Sequence, residues 1–325
     1  MPGSFEALSK FRQEGSLVVK EEAVHETSGK FTRAKKPEQS ADLDAIFESI
    51  HWREFKILLK PQAFSDLERD ARDYWKLAKS VAKQVPAMID ENPRWHTPQV
   101  REVTFFDTAR ADLYRRSYIL RRRTPYKGDE PGDKFEITMK FRHPDPDLAW
   151  RTKVDFAKGL PGVVKFKEEL LLVGTELGGM RSVFSHTCQI KNQSMKLGTK
   201  LGDWAKIFPA VLGSGVAKGA AIAPVNKVGV EEVLFDLGIL HFGGGRNAKV
   251  NLAVWRERET QRVLIGEFAF ETGFKHYGRL HPRPKHRSER FYRLLQRETG
   301  AWVELGTTKT KLAYDLSGKK LDHDE

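Results

Sequence analysis

The chain has 325 residues, with 56 Lys plus Arg against 44 Asp plus Glu, a formal net charge of +12. That excess points to an anionic partner without choosing between nucleic acid, polyphosphate and an anionic membrane surface. The single cysteine, Cys188, excludes both an internal disulfide framework and a zinc site built from several thiolates of one chain.

No segment reads as a membrane span: the weakly polar stretch from Ile207 to Pro224 is broken by Gly213, Gly215, Lys218 and Gly219. It falls short of the ~20 apolar residues a spanning helix needs. Met1 to Lys20 carries Glu6, Lys10, Arg12 and Glu14 and lacks the apolar core of a signal peptide, so a cytoplasmic protein is expected.

Residues 1–48 are dominated by Ser, Lys, Glu and Gln and read as an N-terminal extension, disordered or peripherally packed. Trp52 to Leu59 reads as a strand. Pro61 follows at a plausible first turn, and Phe64, Leu67, Ala71, Tyr74, Ala78 and Val81 recur at steps of three and four, the stripe of a helix buried on one face. Four runs with strand character come next: Gln99–Asp107, Tyr118–Thr124, Lys134–Arg142 and Val163–Val173. Gly-, Pro- and Asp-rich segments separate them, which predicts an antiparallel meander rather than alternating strands and helices. Residues 174–229 are Gly-rich and read as a loop-rich insertion with a short helix over Asp203–Leu212. Strands resume at Glu231–Phe242, Lys249–Arg256 and Arg262–Glu271. A final helix is predicted over Ser288–Thr299, capped by Ser288 and stopped by Gly300. The chain then closes through Trp302–Leu305 and Lys309–Tyr314, with a tail over residues 317–325.

Because strand residues two apart share a face, charged faces can be read directly. Glu54 and Lys56 share one; so do Arg121 and Arg123; Glu136, Thr138, Lys140 and Arg142; Lys165, Lys167 and Glu169; and Glu267, Ala269 and Glu271. Apolar residues such as Phe135, Ile137, Met139 and Phe141 take the opposite face. For one strand, a solvated face is the ordinary meaning. Five such strands suggest a sheet curved so that polar faces line a channel and apolar faces lie under helices. Cations in such a wall hold phosphate oxygens, and carboxylates can hold a hard divalent ion.

The order of motifs resembles the CYTH superfamily, the triphosphate tunnel metalloenzymes, which include thiamine triphosphatases, inorganic triphosphatases and class IV adenylyl cyclases. Trp52-x-Glu54-x-Lys56 lies where the family opens with Glu-x-Glu-x-Lys. Phe105-Phe106-Asp107-Thr108, Leu113-Tyr114 and Leu120-Arg121-Arg122-Arg123 are similar to its "YFDT…L…LRxR" block. Ile137-Thr138-Met139-Lys140 is similar to its "xTxK" strand, and Lys167-Glu168-Glu169 lies at its Arg-x-Glu-x-Glu strand. Gly266–Glu271 resembles the late "ExE" strand and Thr308–Tyr314 the closing "SK…Y" segment.

The resemblance implies an α+β fold over residues 49–316: an eight-stranded antiparallel β-tunnel, a closed barrel with flanking helices, acting on a triphosphate or polyphosphate compound with Mg²⁺ or Mn²⁺. By the same resemblance, Arg121, Arg123, Lys140 and Lys309 bind phosphate, with Arg142 nearer the tunnel mouth. Lys56 sits near the reacting phosphate, and Glu54, Glu169, Glu267 and Glu271 are the expected metal ligands, with Glu136 as runner-up. The expected reaction is hydrolysis of a phosphoanhydride, with the metal between Glu54 and Glu271.

The chain departs from the family pattern at Trp52, which replaces a carboxylate, and at Ala269, where alternation wants one. Lys165 and Lys167 also dilute the acidic character of their strand. A non-catalytic phosphate-ligand-binding pseudoenzyme is therefore one alternative. A nucleic-acid binder is the other, through Arg279, Arg283, Lys285, His286, Arg287, Arg290 and Arg293 with Tyr277, Phe291 and Tyr292 interleaved. His276, His281 and His286, five apart, read as a loop rather than a metal site, and the oligomeric state is open.

Overall fold

The structure is a computed structural model, described here over residues 43–225, 228–274 and 282–316. Residues 1–42 of the predicted extension, His276, Tyr277, Arg279, His281 and the tail lie outside the described residues. Helix α1 (Leu43–Glu48) ends that extension and buries Ile46. Strand β1 (Trp52–Leu59) follows, its alternate residues buried from Arg53 to Ile57. Helix α2 (Leu67–Gln84) starts three residues after Phe64, because Asp66 caps it by accepting from Arg69 N. Asp70 accepts from the Ser65 and Asp66 amides and tightens the same first turn. The predicted stripe is the buried one, with Ala71, Tyr74, Ala78 and Val81 facing the sheet.

Strands β2 (Met88–Glu91), β3 (Gln99–Asp107), β4 (Tyr118–Lys127), β5 (Glu130–Pro131) and β6 (Phe135–His143) come next. After helix α3 (Pro146–Arg151) come β7 (Gly162–Val173) and β8 (Glu176–Gln193). Helix α4 (Leu201–Trp204), β9 (Ala223–Pro224), β10 (Val230–His241), β11 (Asn247–Glu257), β12 (Val263–Gly273), α5 (Pro282–Glu298) and α6 (Lys309–Asp315) complete the described chain.

All twelve strands belong to one hydrogen-bonded system, in the order β2-β10-β11-β12-β1-β7-β8-β6-β4-β3-β9 with β5 on β4. A further pairing of β10 with β3 makes the sheet ring-like, because the first five residues of β10 face Gln99–Val103. Apart from the short side strands β2, β5 and β9, the ring runs through the remaining nine. The expected eight-stranded, wholly antiparallel tunnel is thereby corrected. An odd ring cannot alternate direction throughout, so one neighbouring pair must be parallel. That pair is β1 with β7, in register from Trp52↔Lys167 to Phe55↔Leu170.

The extra strand is β8. It occupies residues 176–193 of the region expected to be a loop-rich insertion, which is a second correction. Gly178 and Gly179 at its start mask the pattern, yet Val183, Cys188 and Ile190 are fully buried and β8 pairs with both β6 and β7. The rest of that region packs Leu201, Trp204, Phe208 and Val211 against Leu120, Ile137, Met139 and Phe166.

β10 changes partner along its length, from β3 at its start to β2 over Gly238–His241. A register shift falls between Asp236 and Gly238. Gly238 sits there at φ 119°, and a Cβ would lie 2.2 Å from the Asp90 carbonyl oxygen, so only glycine permits the approach of β2.

The apolar side of β1, β11 and β12 is covered by α2 and α5. Phe55 and Phe270 are cross-strand partners whose rings stack at 4.5 Å, with Phe291 and Tyr292 of α5 on top. Full burial of side chains of this size contributes ~1.5–3 kcal/mol each. Helix α5 begins six residues before the predicted start. Pro282 and Pro284 lie in its first turn, where a missing N–H costs nothing. Ser288 is therefore inside the helix, its hydroxyl donating to the Lys285 carbonyl, and is not the cap. No helix among the described residues is long and apolar enough to cross a membrane.

Candidate functional site

The alternation that buries Phe55 and Ile57 under the helices turns Glu54 and Lys56 the other way, into a cavity of about 570 Å³ within the ring. Lys56, Arg121, Arg123, Lys140, Arg142, Lys309, Glu54, Glu169 and Glu267 all line it. Glu271 is not among the lining residues but binds two lysines that are. The predicted site residues are thus brought together from β1, β4, β6, β7, β12 and α6.

Three of the carboxylates stand abreast. Glu54 is the cross-strand partner of Glu271 on β12 and of Glu169 on β7. Like charges side by side on neighbouring strands repel, and lysines fill the row. Lys56 Nζ lies 2.7 Å from Glu169 and 3.2 Å from Glu54. Lys140 also binds Glu169, which has Arg142 at 3.6 Å as well. Lys167 binds Glu271 and reaches Glu54 at 3.4 Å.

A second cluster closes the other side. Lys309 donates to Glu232 and Glu267, both at 3.0 Å, and lies 4.7 Å above the Trp255 ring. Glu232 further accepts from Trp255 Nε1 and Arg101 and has Arg123 at 3.8 Å. Lys309 opens helix α6, which Thr308 caps by accepting from Lys311 N. Tyr314 on α6 stacks on Tyr114 at 4.2 Å and donates to Asp107, whose carboxylate also accepts the Thr108, Leu113 and Tyr114 amides. The Phe-Asp-Thr motif is therefore an anchor for the element that carries Lys309.

Sequence reasoning missed Glu232, Arg101, Lys165, Lys167 and Arg181 as site residues. Spacing puts Lys165 and Lys167 on the Glu169 face but gives no sign that they meet Glu54 and Glu271. Glu232 gives no such signal, since Val230 to Val233 are all buried and the strand shows no alternation there.

The lining holds ten Lys and Arg side chains against three Glu. Glu136, Glu232 and Glu271 behind them, with Arg101, do not remove the excess. Burial pushes the Lys140 ammonium down to about 7 against the opposing pull of Glu169, with Lys56 and Arg142 adding to the push. Burial and the Arg123 charge likewise press the Arg121 guanidinium downward, and its Nε is buried without a hydrogen-bond partner. Thr138 Oγ1 is a second buried polar atom without one. For the carboxylates themselves the neighbouring charges outweigh burial. Burial alone would raise Glu54, but Lys167 and Lys56 hold it at about 2, and Glu169 is held well below the carboxylate range.

The donor set does not fit the expected Mg²⁺ or Mn²⁺. Divalent ions of this kind need several oxygens converging without a competing cation, and each expected ligand is already bound to lysine or arginine. Among the described residues no three His, Cys, Asp or Glu side chains form a group able to hold a metal.

No protein-family model matches the chain, and no curated protein matches it. Solved structures do. One is a candidate adenylyl cyclase from Hippeastrum described as having a dominant triphosphatase activity, 12% identical over 84% of this chain and 98% of that one, with a TM-score of 0.39. Another is a candidate adenylate cyclase from Bacillus halodurans, 11% identical over 80% and 95%, with a TM-score of 0.35. A third, from Vibrio parahaemolyticus, is also described as a candidate adenylate cyclase, 10% identical over 80% and 96%, with a TM-score of 0.33.

Proposed function

We propose that this protein binds the phosphate chain of a triphosphate or polyphosphate compound inside its ring-like sheet. The carrying observation is the cation excess of the cavity wall, together with the buried Arg121 Nε that has no hydrogen-bond partner. Several fixed cations around one cavity suit a ligand with several adjacent negative charges, and Arg121, Arg123 and Arg142 add the forked donors that match phosphate oxygens. A cavity of about 570 Å³ within the ring favours a slender chain over a duplex, whose phosphates need an open surface.

Calorimetric titration of tripolyphosphate, with orthophosphate as control, tests this. Tripolyphosphate is expected to bind at least tenfold more tightly than orthophosphate, and Arg121→Ala to weaken it tenfold or more. Equal binding of the two anions, or an Arg121→Ala affinity unchanged, sinks the reading. Competition by a single-stranded oligonucleotide stronger than by tripolyphosphate would favour the nucleic-acid alternative.

Hydrolysis of the bound compound is the finer reading drawn from the sequence. Phosphate release from tripolyphosphate and ATP, measured with Mg²⁺, with Mn²⁺ and with EDTA, decides whether binding is followed by turnover. The geometry favours binding, because the carboxylates that would hold a metal are ion-paired.

A further inference from the structure

The row Glu54–Glu169–Glu271 sets three carboxylates on neighbouring strands, and ammonium groups lie between them. We infer that Lys167 occupies the position of a divalent cation, so that this carboxylate row binds no Mg²⁺ or Mn²⁺ in the native protein.

The geometry carries this in three steps. First, the Lys167 ammonium bridges strands: it binds Glu271 of β12 and lies 3.4 Å from Glu54 of β1, the two carboxylates facing each other across that pair. A cation there would have to share both carboxylates with it. Second, the other flank is taken. Lys56 lies between Glu54 and Glu169, and Glu169, fully buried, is ringed by Lys56, Lys140 and Arg142. Third, the next position along the same face of β1 carries no carboxylate. Trp52, the next inward-facing residue of β1, presents its ring to Lys165 at 5.0 Å, and Lys165 completes the pairing of Glu271 at 3.8 Å. A divalent ion entering between Glu54 and Glu271 would lie within a few ångströms of two ammonium groups. The repulsion is stronger in a partly desolvated wall than in water.

Lys167 is the side chain that decides the matter, because it alone binds both Glu54 and Glu271 among the described residues. Replacing it by a neutral residue should turn the pair into a cation site.

The test uses Mn²⁺ alone and is independent of the proposed phosphate ligand. Binding is read from loss of the free-Mn²⁺ electron paramagnetic resonance signal on adding metal-free full-length protein. Wild type is expected to leave the signal of submillimolar Mn²⁺ unchanged. Lys167→Gln, shown to be folded by circular dichroism, is expected to bind Mn²⁺ at least tenfold more tightly, and Lys167→Gln with Glu271→Gln to lose that gain. Lys167→Met serves where Lys167→Gln does not fold. Stoichiometric Mn²⁺ binding by wild type that Glu54→Gln abolishes would overturn the inference. So would a folded Lys167 variant with no gain.

Discussion

The phenol of Tyr314 donates to the carboxylate of Asp107 at 2.9 Å, both side chains buried, joining helix α6 near the end of the described chain to the last residue of β3. The bond fixes the helix whose first residue, Lys309, reaches Glu232 and Glu267. Tyr314→Phe removes one of four donors to Asp107 while keeping the ring that stacks on Tyr114. A hydrogen bond to a buried carboxylate contributes about 1.5–3 kcal/mol, so thermal unfolding should drop by several degrees. Tripolyphosphate affinity should fall in the same direction as in Lys309→Ala. An unchanged melting temperature would show that stacking alone holds α6.

Lys140 makes ligand binding depend on pH. Its ammonium is held at about 7 in the empty cavity, chiefly by burial, with Lys56 and Arg142 beside it. A bound polyanion favours the charged form and raises that value. Affinity is then flat below pH 7 and falls above it, by up to tenfold per pH unit until the bound-state value is passed. Titrations at pH 8 in buffers of different ionisation enthalpy should show proton uptake on binding. In Lys140→Met that uptake should be smaller, with the ligand's own titration as the remainder.

Glu54 links stability to acid. Its folded value of about 2 lies below the ordinary 4.5, because Lys167 and Lys56 outweigh burial. A depressed carboxylate stabilises the fold above its unfolded value and loses that contribution as pH falls through its folded one. The window is therefore pH 4.5 down to 2, and the contribution is on the order of 3 kcal/mol. Denaturant titrations across that window should show a shallower acid loss for Glu54→Gln than for wild type. Parallel curves would mean that the lysines do not hold Glu54 ionised.

Cys188 lies in the core beside Met139, its cross-strand partner, and burial pushes its thiol up to about 12. The thiolate is the reactive form, so a thiol reagent at pH 8 should label the protein only as fast as it opens. Labelling in denaturant should be immediate. Fast labelling of the native protein would place the thiol within reach of solvent.

Much of the site was legible in the sequence, because strand alternation is local. Lys56 must point opposite Phe55, and Lys140 opposite Met139 and Phe141, whatever the strands lie beside. The Tyr74 and Ala78 stripe of α2 was legible for the same reason, as was the inward turn of Arg121, Arg123 and Glu169.

Neighbourhood was not legible. The β1–β7 parallel pair, and the place of β8 between β6 and β7, depend on contacts more than a hundred residues apart or on a strand whose glycines hide its pattern. The β1–β7 pair decides that Lys167 meets Glu54 and Glu271, and the place of β10 between β3 and β11 sets Glu232 where Lys309 reaches it. Spacing can assign a charge to the inner face of a strand. Which opposite charge lies within 4 Å of it depends on the register between strands, and that register is set by the packing of the whole ring.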